Sequence, residues 1–433
     1  MRFELKLTDI ELHNFRLFDR AKVVFDDKLT LFISENGAGK TALLEGIAKA
    51  LRVVTERLAH DNTDLNQGVY NVKDIKNDNL SCATEIHLLS KVGTEGATAM
   101  ERTIGWRLLF NRKNAVVKVE KDGNDTFLDD ITQQTDEALT TKQPISLPVI
   151  VYYSCERINT DSKNGQVETY GMNMFNAYDH ALDGLSLDYK RFLEWYDWQE
   201  RIERVHKSNS ALDIVKEAIL GILNDPEDMS FKTIYIDPSE FKNPRLILQK
   251  RDDKVEVNQL SSGEKSLMML VSNLAYRMAL LNPFSKDPLK EGQGIVLIDE
   301  IDLHLHPRWQ RAVIPKLQSI FPNIQWVITT HSPEVLGEVE NASIYILDNK
   351  QVRLLDFNTF GKDVNRILER IMGVSERNET VLKDFDRYFE LIELDELDDA
   401  QKLRQSLEKR IGTDEPLFRR ADGTLKRKQL IGR

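Results

Sequence analysis

Five short groups of residues in this 433-residue chain carry side chains suited to phosphate chemistry. The first, Ser34-Glu-Asn-Gly-Ala-Gly-Lys-Thr41, follows an apolar run from Leu29 to Ile33 and precedes an amphipathic stretch. Strand, glycine-containing loop and helix in that order make a phosphate-binding loop. Gly37 and Gly39 let the backbone turn successive N–H groups inward, and the helix adds its partly positive N-terminus. Lys40 is then placed to reach the β- and γ-phosphates of a nucleotide, and the Thr41 hydroxyl to ligate Mg²⁺. Glu35, Asn36 and Ala38 complete the loop, while Ser34 departs from the pattern, which ordinarily opens on glycine.

The second group is Leu260-Ser-Ser-Gly-Glu-Lys265, at the start of a long helical pattern. Ser261, Ser262, Gly263 and Glu264 read equally well as an anion site at a helix N-terminus or as a simple serine cap. The third, Ile295-Val-Leu-Ile-Asp-Glu300, is an apolar strand ending in two carboxylates. Asp299 can enter an Mg²⁺ shell there and Glu300 can polarise an attacking water. Ile301-Asp-Leu-His-Leu-His-Pro307 follows at once. Two histidines at i and i+2 beside Asp302 lack the third and fourth ligands of a metal site, so a turn facing a partner subunit is the better reading. Last, His331 in Thr329-Thr-His-Ser-Pro333 stands at a strand end, where an imidazole can donate to a γ-phosphate.

These groups need elements to hold them. Phe3, Leu5 and Leu7 alternate as a strand, Ile10 to Phe18 continues it, and Val23 to Phe25 reads as a third strand. From Lys40 to Leu58 apolar residues recur at helical spacing. Residues 60–79 read as a polar loop, and runs at Ala83 to Leu89, Thr103 to Phe110 and Val116 to Val119 as an antiparallel β lobe reaching about Leu128. Val149 to Tyr153 is a core strand. Helices are expected at about Leu187–Val205 and Leu212–Leu223, the first with a core stripe of Phe192, Trp195 and Trp198. Strands at 231–236, 245–249 and 255–257 precede an amphipathic helix from Gly263 to Leu281, and the strand ending at Ile298 is followed by a helix near 308–320 and a strand at 325–329. Short strands near Ile344 and Val352 close the sheet. The boundaries drawn are an N-terminal lobe at 1–170, a helical insertion at 171–230, a C-terminal lobe at 231–360 and a helical tail at 361–433.

Composition narrows the setting. A chain with 41% hydrophobic and 30% charged residues is globular. No stretch approaches a membrane span, Met1-Arg-Phe-Glu is no signal peptide, and Cys82 and Cys155 stand alone, which points to a reducing cytoplasm. A net charge of −11 argues against a nucleic-acid coat but leaves room for a local basic groove.

Taken together and in this order, the five groups resemble the ABC-type ATPases of the SMC and RecF kind. The match covers residues 1–60 and about 255–350, the halves of a split nucleotide-binding domain, and His13-Asn-Phe-Arg16 is similar to that group's opening strand. The resemblance implies an α/β fold: an ABC-type ATPase head with a mixed sheet around the P-loop core, an antiparallel β lobe, a helical insertion and a helical C-terminal tail. It implies that two protomers sandwich two ATP molecules, each on one subunit's loop and capped by Ser261 and Gly263 of the other. Lys40 would then supply charge, Thr41 and Asp299 hold Mg²⁺, Glu300 act on water and His331 sense the γ-phosphate. The group's metal-side glutamine has no counterpart in Tyr152-Tyr-Ser-Cys-Glu-Arg157, where Glu156 and Arg157 are the alternatives.

No long coiled coil, zinc hook or nuclease domain is present in the sequence pattern. The block from Tyr178 to Trp198 with Ala181-Leu-Asp-Gly184, the Asp-Leu-His-Leu-His-Pro turn and Lys362-Asp-Val-Asn-Arg-Ile-Leu368 resemble the PtuA ATPases of Septu anti-phage systems and their retron-associated relatives. That resemblance implies a homodimer or higher oligomer regulating a separate HNH-type nuclease (PtuB-like), with DNA or another nucleic acid as a further partner. A RecF-like repair and recombination ATPase is the alternative. In the tail, Phe385, Tyr388, Phe389 and Ile392 form an apolar stripe that fits partner docking or the chain's own core equally. Arg419, Arg420, Lys426, Arg427 and Lys428 make its end basic, to touch nucleic acid or to fray in solvent.

Overall fold

A computed structural model describes residues 1–35, 37–59, 69–93, 100–121, 127–156, 174–184, 187, 189–206, 210–224, 231–237, 245–372 and 378–431. The chain divides into two compact units, Met1–Gly361 and Lys362–Arg433. In the first, β1 (Arg2–Phe15), β2 (Phe18–Val24) and β3 (Leu29–Ile33) lead to α1 (Lys40–Leu58). Strands β4 (Ser81–Gly93), β5 (Met100–Asn111) and β6 (Val116–Lys121) come next, then α2 (Phe127–Thr140) and β7 (Val149–Tyr153). Helices α3 (Tyr189–His206) and α4 (Ser210–Leu223) precede β8 (Phe231–Ile236), β9 (Leu246–Lys250), β10 (Asp253–Glu256) and α5 (Ser262–Leu281). The unit closes with α6 (Pro288–Glu291), β11 (Gly294–Ile298), α7 (Pro307–Ile320), β12 (Ile324–Thr330), α8 (Pro333–Gly337), β13 (Ser343–Asp348) and β14 (Gln351–Leu354).

Three sheets result among the described residues. One is antiparallel in the order β2-β1-β4-β5-β6, and β10-β9-β8 forms a second. The third, β14-β13-β3-β12-β11-β7, is parallel except for its β13–β14 edge. Strands β3, β7, β11 and β12 are buried along their whole length, because helices cover both faces of a parallel sheet. That is why their sequences are mainly apolar, with Thr30 of β3 and Gln325, Thr329 and Thr330 of β12 as buried polar exceptions. Registers Ile33↔Thr330, Ile328↔Ile298 and Ile298↔Tyr153 bring four carboxyl ends level. The loop before α1, the Asp299-Glu300 pair, His331 and Ser154 therefore share one edge.

Several expectations need correction. The run from Ile10 to Phe18 is not one strand. Asn14 and Arg16 take positive φ, the chain turns at Arg16-Leu17, and Val23 belongs to the return strand β2. The β lobe is followed by α2, which alternation could not announce. In α3 the core face is Phe192, Trp195 and Tyr196, whereas Trp198 is 41% exposed. Steps of three lag the 3.6-residue turn, and a step of four restores the face. Nor is α5 one-sided: Ser266, Ser272, Asn273 and Arg277 are buried with its apolar residues, so the helix runs through the interior.

The second unit comprises α9 (Val364–Met372), α10 (Glu379–Glu393), α11 (Leu397–Ile411) and α12 (Pro416–Ile431). Phe385, Tyr388, Leu391 and Ile392 of α10 pack with Ala400 and Leu407 of α11 and with Phe418 and Ala421 of α12, and Phe389 packs against the same cluster. The apolar stripe of the tail is thus the core of its own helical bundle, and the docking alternative for it falls away.

Candidate functional site

The loop between β3 and α1 owes its shape to two glycines. Gly37 has φ 79° and Gly39, the N-cap of α1, has φ 105°. A Cβ on Gly39 would stand 2.8 Å from Leu17 and 2.9 Å from Phe18, so the β1–β2 turn leaves room for glycine alone. Lys40 is 5% exposed, and its Nζ donates to the Ser34 Oγ at 2.9 Å and to the Ser34 carbonyl at 3.2 Å. Ser34, the departure from the loop pattern, therefore supplies a hydroxyl that steadies the lysine. Burial lowers the Lys40 pKa, and the negative charges of Glu300, Asp299 and Asp302 offset part of that effect. Asn36 lies outside the described residues, while Glu35, Gly37 and Ala38 form the turn between them.

Across the edge, Thr41 Oγ1 donates to Asp299 Oδ2 at 2.6 Å. Asp299 is fully buried, and its other oxygen accepts from Thr329 Oγ1 at 2.5 Å. The same Thr329 hydroxyl accepts the Glu300 N–H at 2.7 Å, which holds Glu300 in a left-handed conformation, φ 48°. Such a conformation in a non-glycine residue is stored strain of the kind found at functional sites. Glu300 Oε1 lies 3.8 Å from His331 Nε2, and that nitrogen is buried without a hydrogen-bond partner among the described residues. Thr330 repeats the device one position on. Its hydroxyl donates to Asp302 Oδ1 at 2.5 Å, and the His331 N–H reaches the same oxygen at 3.3 Å.

Thr329 and Thr330 were not assigned roles from sequence. Their signal, two hydroxyls just before His331, acquires meaning only when β12 is known to lie between β3 and β11. Gln310 of α7 was also missed. Its amide nitrogen donates to the Leu305 carbonyl at 2.9 Å, and its oxygen accepts from Ser332 Oγ at 2.8 Å, pinning the 301–306 turn to the strand end.

The donor set suits a hard cation. Thr41 and Asp299 offer adjacent oxygen atoms, and no group of three His, Cys, Asp or Glu side chains stands together among the described residues. Mg²⁺ binds in this way, through one or two protein oxygens with phosphates and waters completing the octahedron. His306 instead accepts the Arg308 N–H at 3.3 Å as the cap of α7.

The Ser-Gly-Glu loop caps α5. Ser261 Oγ accepts the Glu264 N–H at 3.2 Å, and Glu264 Oε2 accepts the Ser261 N–H at 3.0 Å, a reciprocal capping box. Ser261 and Ser262 are exposed. Gly263 is buried, and a Cβ there would lie 2.6 Å from the His304 carbonyl oxygen. The loop and the 301–306 turn therefore form one surface of the same protomer.

At the end of β7, Ser154 and Glu156 line a cavity of about 370 Å³ together with Thr41, Glu45, Arg52 and Asp183. The Tyr152 N–H donates to the Ala181 carbonyl at 2.7 Å, which ties the Ala181–Gly184 segment to this edge. Cys155 has its thiol pKa raised by burial and by the charges of Asp299 and Glu300, so it is a poor nucleophile. Arg157, one alternative for the missing glutamine, lies outside the described residues. Arg16 of the opening segment donates to Asp74 at 3.1 Å and pairs with Glu45 of α1.

The chain is similar to known proteins over most of its length. It is 29% identical to the Retron Vc95 probable ATPase of Vibrio cholerae serotype O1 biovar El Tor, over 93% of this chain and 86% of that protein. It is 24% identical to the Septu protein PtuA of Bacillus thuringiensis, over 86% and 85%. Among solved structures, an Smc head bound to the C-winged helix domain of ScpA aligns with 81% of this chain and 98% of its own, at 13% identity and a TM-score of 0.48. The AAA domain family model matches residues 9–268, more than half of the chain and a span that includes both the phosphate loop and the Ser-Gly-Glu loop, and the protein belongs to that family.

Proposed function

We propose that this protein is the ATP-hydrolysing subunit of an anti-phage defence assembly, that it dimerises around ATP, and that it governs a separate HNH-type nuclease. The observation that carries the ATPase reading is the convergence of Lys40, the Thr41–Asp299 pair and the Glu300–His331 pair on one sheet edge. Mg²⁺ held by Thr41 and Asp299 supplies charge neutralisation for the phosphates. Lys40, already held by Ser34, adds its positive charge to the phosphate cradle. Glu300 takes the proton of a water whose oxygen bonds to the γ-phosphorus while the bond to the bridging oxygen breaks. His331 Nε2, buried and without a hydrogen bond among the described residues, then has an acceptor in the γ-phosphate.

The dimer reading rests on Ser261, Ser262 and the 301–306 turn. They form one surface, and the serines are exposed. The defence setting rests on the retron ATPase and PtuA relatives and on the Septu-like motifs. Glu300→Gln is expected to abolish turnover, retain ATP and double the mass measured by light scattering when ATP is added. Turnover at the wild-type rate would sink the site. A mass that stays monomeric with ATP bound would sink the dimer alone. Lys40→Ala is expected to lose ATP affinity, and co-purification with a co-expressed HNH-type nuclease tests the partner.

A further inference from the structure

The basic end of the chain is neither a frayed tail nor part of the apolar bundle. In α12 the residues Phe418 and Ala421 enter the core, and Leu417 and Leu425 pack against it. At 100° per residue, Arg419, Arg420, Lys426 and Arg427 fall on the opposite side of that helix, and all four are exposed. Gly423 lies at the centre of this face, and a Cβ there would meet nothing within 4 Å.

The pairing of charges in the bundle is selective. Arg387 pairs with Glu390 at 2.7 Å, Arg410 with Asp384 at 2.6 Å, and Arg404 with Glu408 at 2.8 Å and with Asp422. Lys402 pairs with Asp399 at 2.8 Å. By contrast, Arg419, Arg420, Lys426 and Arg427 have no acidic partner among the described residues, and the one ring contact among them is Arg420 over Phe389 at 5.7 Å. In a chain of net charge −11, four exposed cations with no ion-pair partner among the described residues form a local exception to the overall field.

We infer that this face of α12 binds the sugar–phosphate backbone of nucleic acid. The i, i+1, i+7, i+8 pattern sets two pairs of cations about 10 Å apart along the axis, a spacing that lets separate phosphates be met at once. Arginine presents a fork that matches phosphate oxygens, and the bare Gly423 lets the backbone come close between the pairs. A membrane surface fits less well, because a helix that lies on lipid inserts its apolar side, and that side of α12 is buried in the bundle. An acidic protein partner fits less well too, since protein interfaces centre on buried aromatic or aliphatic anchors and this face has none. Phosphate contacts of this kind give affinity without sequence preference and a strong salt dependence.

The test uses the full-length protein and fluorescein-labelled 30-nucleotide single strands and 30-base-pair duplexes of random sequence, with binding followed by anisotropy from 50 to 200 mM salt. Two variants are compared with wild type: one with all four cations changed to Glu, and one with all four changed to Gln. Both substitute exposed side chains, and circular dichroism checks that the helices persist. If the face is used, each variant binds more weakly than wild type. For duplex the Gln variant's log–log salt slope falls by about 3 to 4, which is about a hundredfold of affinity at the low-salt end relative to 200 mM. ATPase turnover without nucleic acid stays unchanged, so failure of this inference is separable from failure of the ATPase assignment. Wild-type binding by the folded Gln variant overturns the inference, as does no binding by wild type to either probe at 50 mM salt. Tighter, face-dependent capture of anionic phospholipid vesicles or of polyglutamate than of either nucleic acid also overturns it.

Discussion

Thr329→Val removes one oxygen atom and almost no volume, yet that oxygen is shared by the Asp299 carboxylate and the Glu300 backbone. In the wild-type chain it donates to Asp299 Oδ1 at 2.5 Å and accepts the Glu300 N–H at 2.7 Å, at a position with no solvent exposure. A hydrogen bond to a charged group contributes about 1.5–3 kcal/mol, and an unpaired buried N–H costs about 1–3 kcal/mol. Asp299 keeps its bond from Thr41, so the loss of stability is placed at roughly 2.5–4 kcal/mol, in the lower part of that combined range. With unfolding entropy near 2.1 cal/mol/K per residue, the 361-residue unit has roughly 0.8 kcal/mol/K, and its midpoint should fall by about 3–5 °C. Function should suffer more. Without its anchor, the strained Glu300 backbone relaxes, and displacement of a reacting group by about 1 Å costs on the order of a hundredfold in rate. Scanning fluorimetry and steady-state phosphate release measure both effects. Thr329→Ser, which keeps the oxygen, should recover most of the rate. Wild-type turnover in the Val variant, or equal loss in Ser and Val, would refute the positioning role.

Two other substitutions separate the parts of the molecule. Gly263→Ala drives a methyl group into the His304 carbonyl at 2.6 Å, which should cost about 1–3 kcal/mol as overpacking. It should leave ATP affinity intact by calorimetry and cut turnover at least tenfold, and full activity would show that the contact is incidental. Phe385→Ala empties a site 1% exposed, with its ring 5.3 Å from that of Phe418. A loss of about 3–5 kcal/mol should open the second unit to hydrogen exchange while ATP binding is retained. Unchanged protection across α10–α12 would contradict the bundle core.

Much of the phosphate edge could be read from residues in order, because each motif is local. Gly37-Ala-Gly39-Lys40-Thr41 needs only its own strand and helix to make sense, and an apolar run ending in Asp299-Glu300 reads as a buried parallel strand by composition alone. Helices with clear apolar periodicity, such as α1 and α4, were equally legible. The irregular parts were not: α2 follows a β lobe with no strong period, and the turn at Arg16-Leu17 depends on positive φ at Asn14 and Arg16.

What residue order alone determined, then, was the chemistry on offer: loop amides suited to an anion, a lysine, two carboxylates and a histidine. Tertiary structure decided which of these meet and what holds them. Sheet order sets β12 between the phosphate-loop strand and the Asp-Glu strand, so that Thr329 and Thr330, unremarkable in sequence, become the braces of Asp299, Glu300 and Asp302. Ser34 changed from a flaw in a motif to a partner of Lys40. The tail's apolar stripe became a core and its basic end an exposed face. Each of these outcomes depends on partners distant in the chain, and local periodicity carries no information about such partners.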